Sequence, residues 1–199
     1  MRSLSAKRAL DLTGSVLLLL LFAPVLASVY AAVALTSPGG AIYRQPRAGL
    51  HGKPFHILKF RTMHIGAAAE RVNLAALNES DGHLFKLRSD PRVTPVGRIL
   101  RRLSLDELPQ LFNVLRGEMS LVGPRPLVVE DSGYTGLARG RLTVRPGLTG
   151  LWQVNGRSEL PWDEMVLLDL EYVDTHCLSV DLAILARTVP AVLTSRGAH

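Results

Sequence analysis

The strongest pattern along the chain is an uncharged run near its start. No charged residue occurs between positions 12 and 43, and residues 12–35 read LTGSVLLLLLFAPVLASVYAAVAL. As one straight helix those 24 residues would reach about 36 Å, against about 30 Å for a hydrocarbon layer. Three readings compete. A cleaved signal peptide would use Lys7 and Arg8 as its charged region, residues 16–26 as its apolar region and Ala32-Val33-Ala34 as its cleavage site. A spanning helix has basic residues on both flanks (Arg2, Lys7, Arg8; Arg44, Arg47), so the positive-inside rule assigns no direction. A re-entrant hairpin would dip into one leaflet and return. Pro24 sits mid-run, lacks an N–H and clashes with the carbonyl of Leu20, a conflict of about 3 kcal/mol in a helix interior. That favours a bend. Proline is tolerated in membrane helices, so composition leaves the kinked span and the hairpin level. Asp11 borders the run. Lys7, four residues earlier on the same helical face, is its expected partner.

Beyond a Pro38-Gly39-Gly40 turn the pattern changes. Residues 41–43 and 55–60 read as strands joined by a Gly/Pro loop. Residues 66–78 are Ala-rich and helix-prone. Turns are expected at 80–82 and 90–91. Residues 99–115 carry a helical apolar spacing that breaks near 104–109. Residues 117–157 are dense in Gly and Pro, so rigid loops are expected. Residues 162–172 and 181–195 read as two more helices, the last apolar enough to lie on a membrane or a core. The expected fold is α+β and mainly helical, with a small β element.

The 199 residues suit one domain, or one domain plus an anchor. Hydrophobic residues make up 47%, which excludes a disordered chain. The single Cys177 excludes an internal disulfide framework and a Cys-rich zinc site, and favours a body facing a reducing compartment. The net charge is +6, unevenly spread: residues 1–150 carry 20 Lys/Arg against 10 Asp/Glu, and residues 151–199 carry 3 against 7. A basic front favours phosphates, nucleotides or anionic lipid. Aromatic content is 6% and no nucleic-acid motif occurs, so nucleic acid is not an expected partner. P-loop, dinucleotide, zinc-hydrolase and nucleophile-elbow motifs are missing too.

The sharpest local feature is Asp106-Glu107. Ser104 and Glu107 have capping-box spacing, and Pro109 suits a helix start. Two acids there could simply complement a helix dipole. The same position also attracts phosphate, an ionised Asp can attack phosphorus, and a neighbouring acid can hold Mg²⁺. Lys59, Arg61, Arg88, Arg125 and Arg145 are the candidate phosphate-binding cations. Prolines flank the arginine in Gly123-Pro124-Arg125-Pro126 and follow it in Arg145-Pro146-Gly147, which restricts the loop before any ligand arrives.

Taken together these pieces resemble the bacterial sugar transferase family, the monotopic membrane-bound phosphoglycosyl transferases. The resemblance rests on KRALD (residues 7–11), Pro24, KFRTM (59–63), RRLSLDELPQLFNVLRGEMSLVGPRPL (101–127), RPGLTGLWQVNGR (145–157) and DLEYV (169–173), in family order. It implies a re-entrant membrane helix over 1–43, with its break at Pro24, and a cytoplasm-facing catalytic domain over 44–199. It implies transfer of sugar-1-phosphate from a nucleotide sugar, most often UDP-linked, to polyprenyl phosphate in the bacterial inner membrane, with UMP released. The family works through a phosphosugar-aspartyl intermediate. Asp106 matches its nucleophile and Glu107 the partner expected to bind Mg²⁺. Lys59, Arg61, Arg88, Arg125, Pro126, Arg145 and Asp169 match positions expected at the substrate. The chain has Ala23-Pro24 where the family often has Ser-Pro. It looks like a minimal catalytic version, and its oligomeric state, homo-oligomer included, is open. The competing reading is a non-catalytic membrane-bound module that holds anionic lipid, with Asp106-Glu107 as a helix cap.

Overall fold

A computed structural model describes residues 2–79, 85, 87, 89–128, 134–156 and 159–194. Helix α1 (Arg2–Leu21) and helix α2 (Ala23–Thr36) fold the uncharged run into an elbow. Its arms, Ala6–Leu21 and Ala23–Thr36, meet at 65°. Hydrogen bonding continues across the joint: Phe22 N–H donates to the Leu18 carbonyl at 2.9 Å, and Leu26 N–H to the Phe22 carbonyl at 2.8 Å. Pro24 lies in the first turn of α2. There its missing N–H costs nothing, because first-turn donors have no acceptor within their own helix. The Ser28 hydroxyl donates to the Pro24 carbonyl at 2.8 Å. Ala23 therefore does not prevent a sharp bend. Among the described residues no single helix is long and apolar enough to cross a membrane; the bent pair qualifies only jointly, by length and composition.

Strands β1 (Ile42–Ala48) and β2 (Pro54–Phe60) form an antiparallel hairpin, with Ile42 opposite Phe60 and Ala48 opposite Pro54. The expected boundary at residue 43/44 falls inside β1. The first strand is longer than residues 41–43 because Pro46 is tolerated at the edge of a two-stranded sheet. The helix expected over 66–78 shrinks to α3 (Ala67–Glu70) and a separate 3-10 turn, Ala75–Leu77. Ala propensity alone does not hold a short helix, and here no apolar face packs: Val72 and Leu77 are exposed. Helix α4 (Pro95–Arg102) starts at Thr94, whose hydroxyl accepts from Gly97 N–H at 2.9 Å. A 3-10 turn, Leu105–Glu107, leads to α5 (Gln110–Arg116), which ends at Gly117 with φ 79°.

The Gly/Pro-rich stretch is more ordered than its composition suggests. Strands β3 (Ser120–Val122) and β4 (Gly147–Thr149) pair in parallel, and a 3-10 turn covers Gly136–Thr143. Helices α6 (Leu151–Asn155), α7 (Trp162–Thr175) and α8 (Leu178–Thr194) complete the chain. The turn expected at 80–82 lies outside the described residues.

The first half of α1 belongs to the body. The Lys7–Asp11 pair expected from helical spacing does not form. Asp11 is buried and accepts from Ser120 Oγ at 2.8 Å and Leu121 N–H at 2.9 Å. Lys7 Nζ instead lies 2.7 Å from Asp181 and donates to the Tyr172 hydroxyl at 3.0 Å and the Val122 carbonyl at 3.1 Å. Each charge is satisfied by partners on the elements packed against α1, as its removal from water demands. Arg8 donates to the carbonyls of Val114 (2.7 Å) and Leu115 (2.8 Å) at the end of α5, a favourable place for a cation. Gly14 lets α1 approach β3: a Cβ there would lie 2.7 Å from Leu121.

Two apolar clusters result. Phe55, Ile57, Leu111, Val114, Met119, Leu121, Val122, Tyr172 and Ile184 form the main core. Val29, Val33, Ala41, Phe60 and Leu100 form a second, with Leu105 packed against it.

Candidate active site

The segment between α4 and α5 sets the acids. Ser104 has φ 54° and ψ 19°, a left-handed conformation unfavourable for a residue with a side chain. The capping box expected from Ser104 and Glu107 does not form, because a cap needs an extended backbone and Ser104 makes no side-chain cap bond. Glu107 turns to cations instead. Helix α4 lies hard against the main chain at Thr62: a Cβ on Gly97 would fall 2.1 Å from the Thr62 carbonyl. From that contact Arg101 Nε donates to Thr62 Oγ1 at 3.0 Å.

Glu107 is the hub. It accepts from Lys59 Nζ at 2.8 Å through Oε1 and from Arg125 Nη1 at 3.1 Å through Oε2, while Arg125 Nη2 also reaches Oε1. Lys59 comes from β2, which is fixed to α5 by the buried Asn113: its Oδ1 accepts from Leu58 N–H at 3.0 Å and its Nδ2 donates to the His56 carbonyl at 2.8 Å. Arg125 comes from a loop with every carbonyl from 124 to 127 bonded. The acceptor Pro124 is met by Gly147 N–H (2.9 Å), Arg125 by Arg141 Nη2 (3.1 Å), Pro126 by Arg47 Nη1 (3.2 Å) and Leu127 by Ala48 N–H (3.3 Å). Only glycine fits at 147, since a Cβ would fall 2.1 Å from Gly123 N.

Asp106 differs from its neighbour. It is 8% exposed, and no side-chain hydrogen bond joins it to another described residue. Burial pushes its carboxyl above the ordinary range; Lys59, Arg101 and Arg125 act against that, while Glu107 adds to it. Burial also works against Glu107, but Arg125 and Lys59 overcome it and hold that carboxyl well below the ordinary range. Burial lowers Lys59, with Glu107 opposing. The result is one locked carboxylate and, in a cationic field, one carboxyl with no side-chain hydrogen bond to another described residue. An uncommitted carboxylate can attack phosphorus, and the surrounding cations can hold phosphate oxygens.

Mg²⁺ takes one or two carboxylates and fills its shell with water and phosphate oxygens. The adjacent acids match that small protein share in number, although both oxygens of Glu107 already accept from Lys59 and Arg125. No group of three or more His, Cys, Asp or Glu converges among the described residues, so substrate oxygens would have to complete the set.

Four of the sequence-predicted residues, Asp106, Glu107, Lys59 and Arg125, converge here, with Pro126 in the Arg125 loop. Among the described residues, Arg61, Arg145 and Asp169 make their hydrogen bonds elsewhere. Arg61 donates to the carbonyls of Gly40 (2.9 Å) and Gly39 (2.7 Å). Arg145 Nε donates to Gly117 at 3.0 Å, at the end of α5. Asp169 is fully buried and 2.6 Å from Arg141. Arg88 lies outside the described residues. Pro24 is at the elbow. Sequence reasoning missed Arg101 and Arg141. Arg101 stood five residues before the acid, a spacing without helical meaning across a broken helix, and nothing in the local sequence marked Arg141.

Comparison with known proteins agrees with the geometry. The pattern described as bacterial sugar transferase matches residues 2–195. The exopolysaccharide production protein ExoY of Rhizobium meliloti is 44% identical over 98% of this chain and 88% of its own length. The UDP-glucose:undecaprenyl-phosphate glucose-1-phosphate transferase of Caulobacter vibrioides is 46% identical over 97% of this chain and 72% of its own. The undecaprenyl-phosphate galactose phosphotransferase of Salmonella typhimurium is 43% identical over 97% of this chain, which spans only 41% of that protein. With a buried Asp106 beside a Glu107 braced by Lys59 and Arg125, and a match over nearly its whole length, the chain belongs to the bacterial sugar transferase family.

Proposed function

We propose that this phosphoglycosyl transferase moves a sugar-1-phosphate from a UDP-sugar to a polyprenyl phosphate. The observation that carries the reading is the contrast within the dyad: Glu107 is bound by Lys59 and Arg125, while Asp106 is buried, has no side-chain hydrogen bond to another described residue and lies in the field of Lys59, Arg101 and Arg125. The names of the Caulobacter and Salmonella relatives, both undecaprenyl-phosphate transferases, support the acceptor class. In the first step an ionised Asp106 oxygen attacks the sugar-linked phosphorus. The bond to the bridging oxygen breaks and UMP leaves with its electron pair. In the second, a phosphate oxygen of the polyprenyl carrier attacks the same phosphorus and Asp106 is released. Lys59, Arg101 and Arg125 favour the ionised acid and the crowded phosphate oxygens. Bound Mg²⁺, held by Glu107 and the diphosphate, would neutralise charge on the leaving UMP.

The elbow suits this chemistry. A polyprenyl phosphate keeps its phosphate at the membrane surface, whereas a nucleotide sugar is soluble. An anchor that dips and returns keeps the acid at that surface, on the cytoplasmic face in this reading. The exposed apolar side chains along the two arms, Leu17, Leu20, Leu21, Tyr30 and Leu35, support lipid contact.

The test is intact-mass analysis after incubation with Mg²⁺ and single UDP-sugars. The expected result is a sugar-phosphate adduct on Asp106 and stoichiometric UMP, then discharge on adding polyprenyl phosphate. Turnover with no adduct on any donor overturns the covalent route. No UMP from any UDP-sugar with polyprenyl phosphate returns the chain to the lipid-binding module.

A further inference from the structure

Asp169 carries no contact with a substrate, because it is fully buried on α7. Its ion-pair partner among the described residues is Arg141, itself 3% exposed, whose Nε donates to Asp169 Oδ2 at 2.8 Å and whose Nη2 lies 2.6 Å from the same oxygen. That Nη2 also donates to the main-chain carbonyl of Arg125 at 3.1 Å. The guanidinium lies over the rings of Trp162 (5.6 Å) and Tyr134 (5.9 Å), and the Tyr134 hydroxyl accepts from Leu127 N–H at 2.8 Å. The buried pair therefore grips the Arg125 loop at two places, at Arg125 directly and at Leu127 through Tyr134. At its other end Arg125 binds both oxygens of Glu107.

A buried ion pair is weak evidence of stabilisation, since well-packed apolar residues of similar volume often serve equally well. The retained geometry is explained better by placement. We infer that Asp169 and Arg141 are positioning residues for the transfer reaction, holding the Arg125 main chain so that its guanidinium meets Glu107. As a statement about the reaction this rests on the transferase reading; as a statement about Arg125 it does not.

The experiment separates the two. Arginine labelled with ¹⁵N in nanodisc-embedded protein should give separately resolved Nη signals for Arg125, a sign of blocked rotation, assigned by their loss in Arg125→Lys. Arg141→Met/Asp169→Leu removes both charges together, so the fold should survive. Arg125 Nη signals are then expected to merge, with turnover down about 10²-fold, the scale of a 1 Å misplacement. In an Arg125→Ala background the same pair should add no further loss beyond about twofold, because both changes break one unit. Arg141→Lys, which keeps the charge but loses the fork, is expected to act in the same direction and serves if the double variant fails to fold. Unchanged Arg125 signals, or a loss that multiplies in the Arg125→Ala background, would overturn the inference. Absence of UMP release in the wild type would sink the transferase reading while leaving the Arg125 signals to decide the placement.

Discussion

Lys7 and Asp181 lie 174 residues apart in sequence and 2.7 Å apart in space, tying the first helix to the last. The Asp181 side chain is 1% exposed. Lys7→Met would leave a buried carboxylate without its cation, a change worth about 3–5 kcal/mol. Chemical denaturation in detergent should show that loss. Lys7→Met/Asp181→Leu should recover most of it, because the Tyr172 hydroxyl keeps its bond to the Val122 carbonyl.

Asp106→Asn is expected to abolish UMP release and the adduct with little change in melting temperature, since no hydrogen bond between described side chains depends on Asp106. Glu107→Gln should instead cost both. It leaves Lys59 and Arg125 without their shared charge, and turnover should fall by about 10²–10³-fold, the scale for losing one preorganised electrostatic contact. Initial rates and unfolding curves measured on the same preparations distinguish the two patterns. The proposed attack needs Asp106 ionised, and burial raises its carboxyl. The rate should therefore climb with pH through a value above the ordinary carboxylate range. Lys59→Gln should push that limb higher still, because Lys59 is the strongest charge opposing the rise.

Asp169 gives a second pH signature. Burial raises its carboxyl to about 6, with Arg141 opposing. The folded chain then binds this proton more tightly than the unfolded chain. Its contribution to stability is present below about pH 4, falls as pH rises, and is gone above about 6. Melting temperature measured from pH 4 to 7 should carry that downward component, and Asp169→Asn should remove it. A ¹³C-labelled carboxyl that titrates near 4 would contradict the expectation.

Gly97→Ala tests the seat of α4. The added carbon would fall 2.1 Å from a main-chain oxygen, which cannot swing aside like a side-chain tip. Overpacking of this kind costs about 1–3 kcal/mol or more. Activity should fall further than stability alone explains, because the same contact aims Arg101 toward Asp106. Melting temperature and kcat measured side by side provide the check.

What could be read from the residues alone followed range of interaction. The elbow at Pro24, the break near 104–109 and the final two helices were legible because each depends on neighbours within a turn or two. The Arg125 loop was legible through its prolines. The partners of Lys7 and Asp11 were not, because helical spacing offered a local answer and burial imposed a distant one. The same is true of Ser104 and Glu107, whose spacing suggests a cap, whereas Ser104 takes a left-handed backbone and Glu107 meets Lys59 and Arg125. Residues 66–78 show the reverse error: good local propensity without a surface to bury.

Leu105, the residue just before Asp106, packs on the cluster that contains Val29 and Val33 of the second arm of the elbow. No slack tether separates anchor from acid. The height of the Asp106 carboxyl above the elbow is thus fixed by side-chain contact, and extending that arm by a helical turn would lift the two out of register.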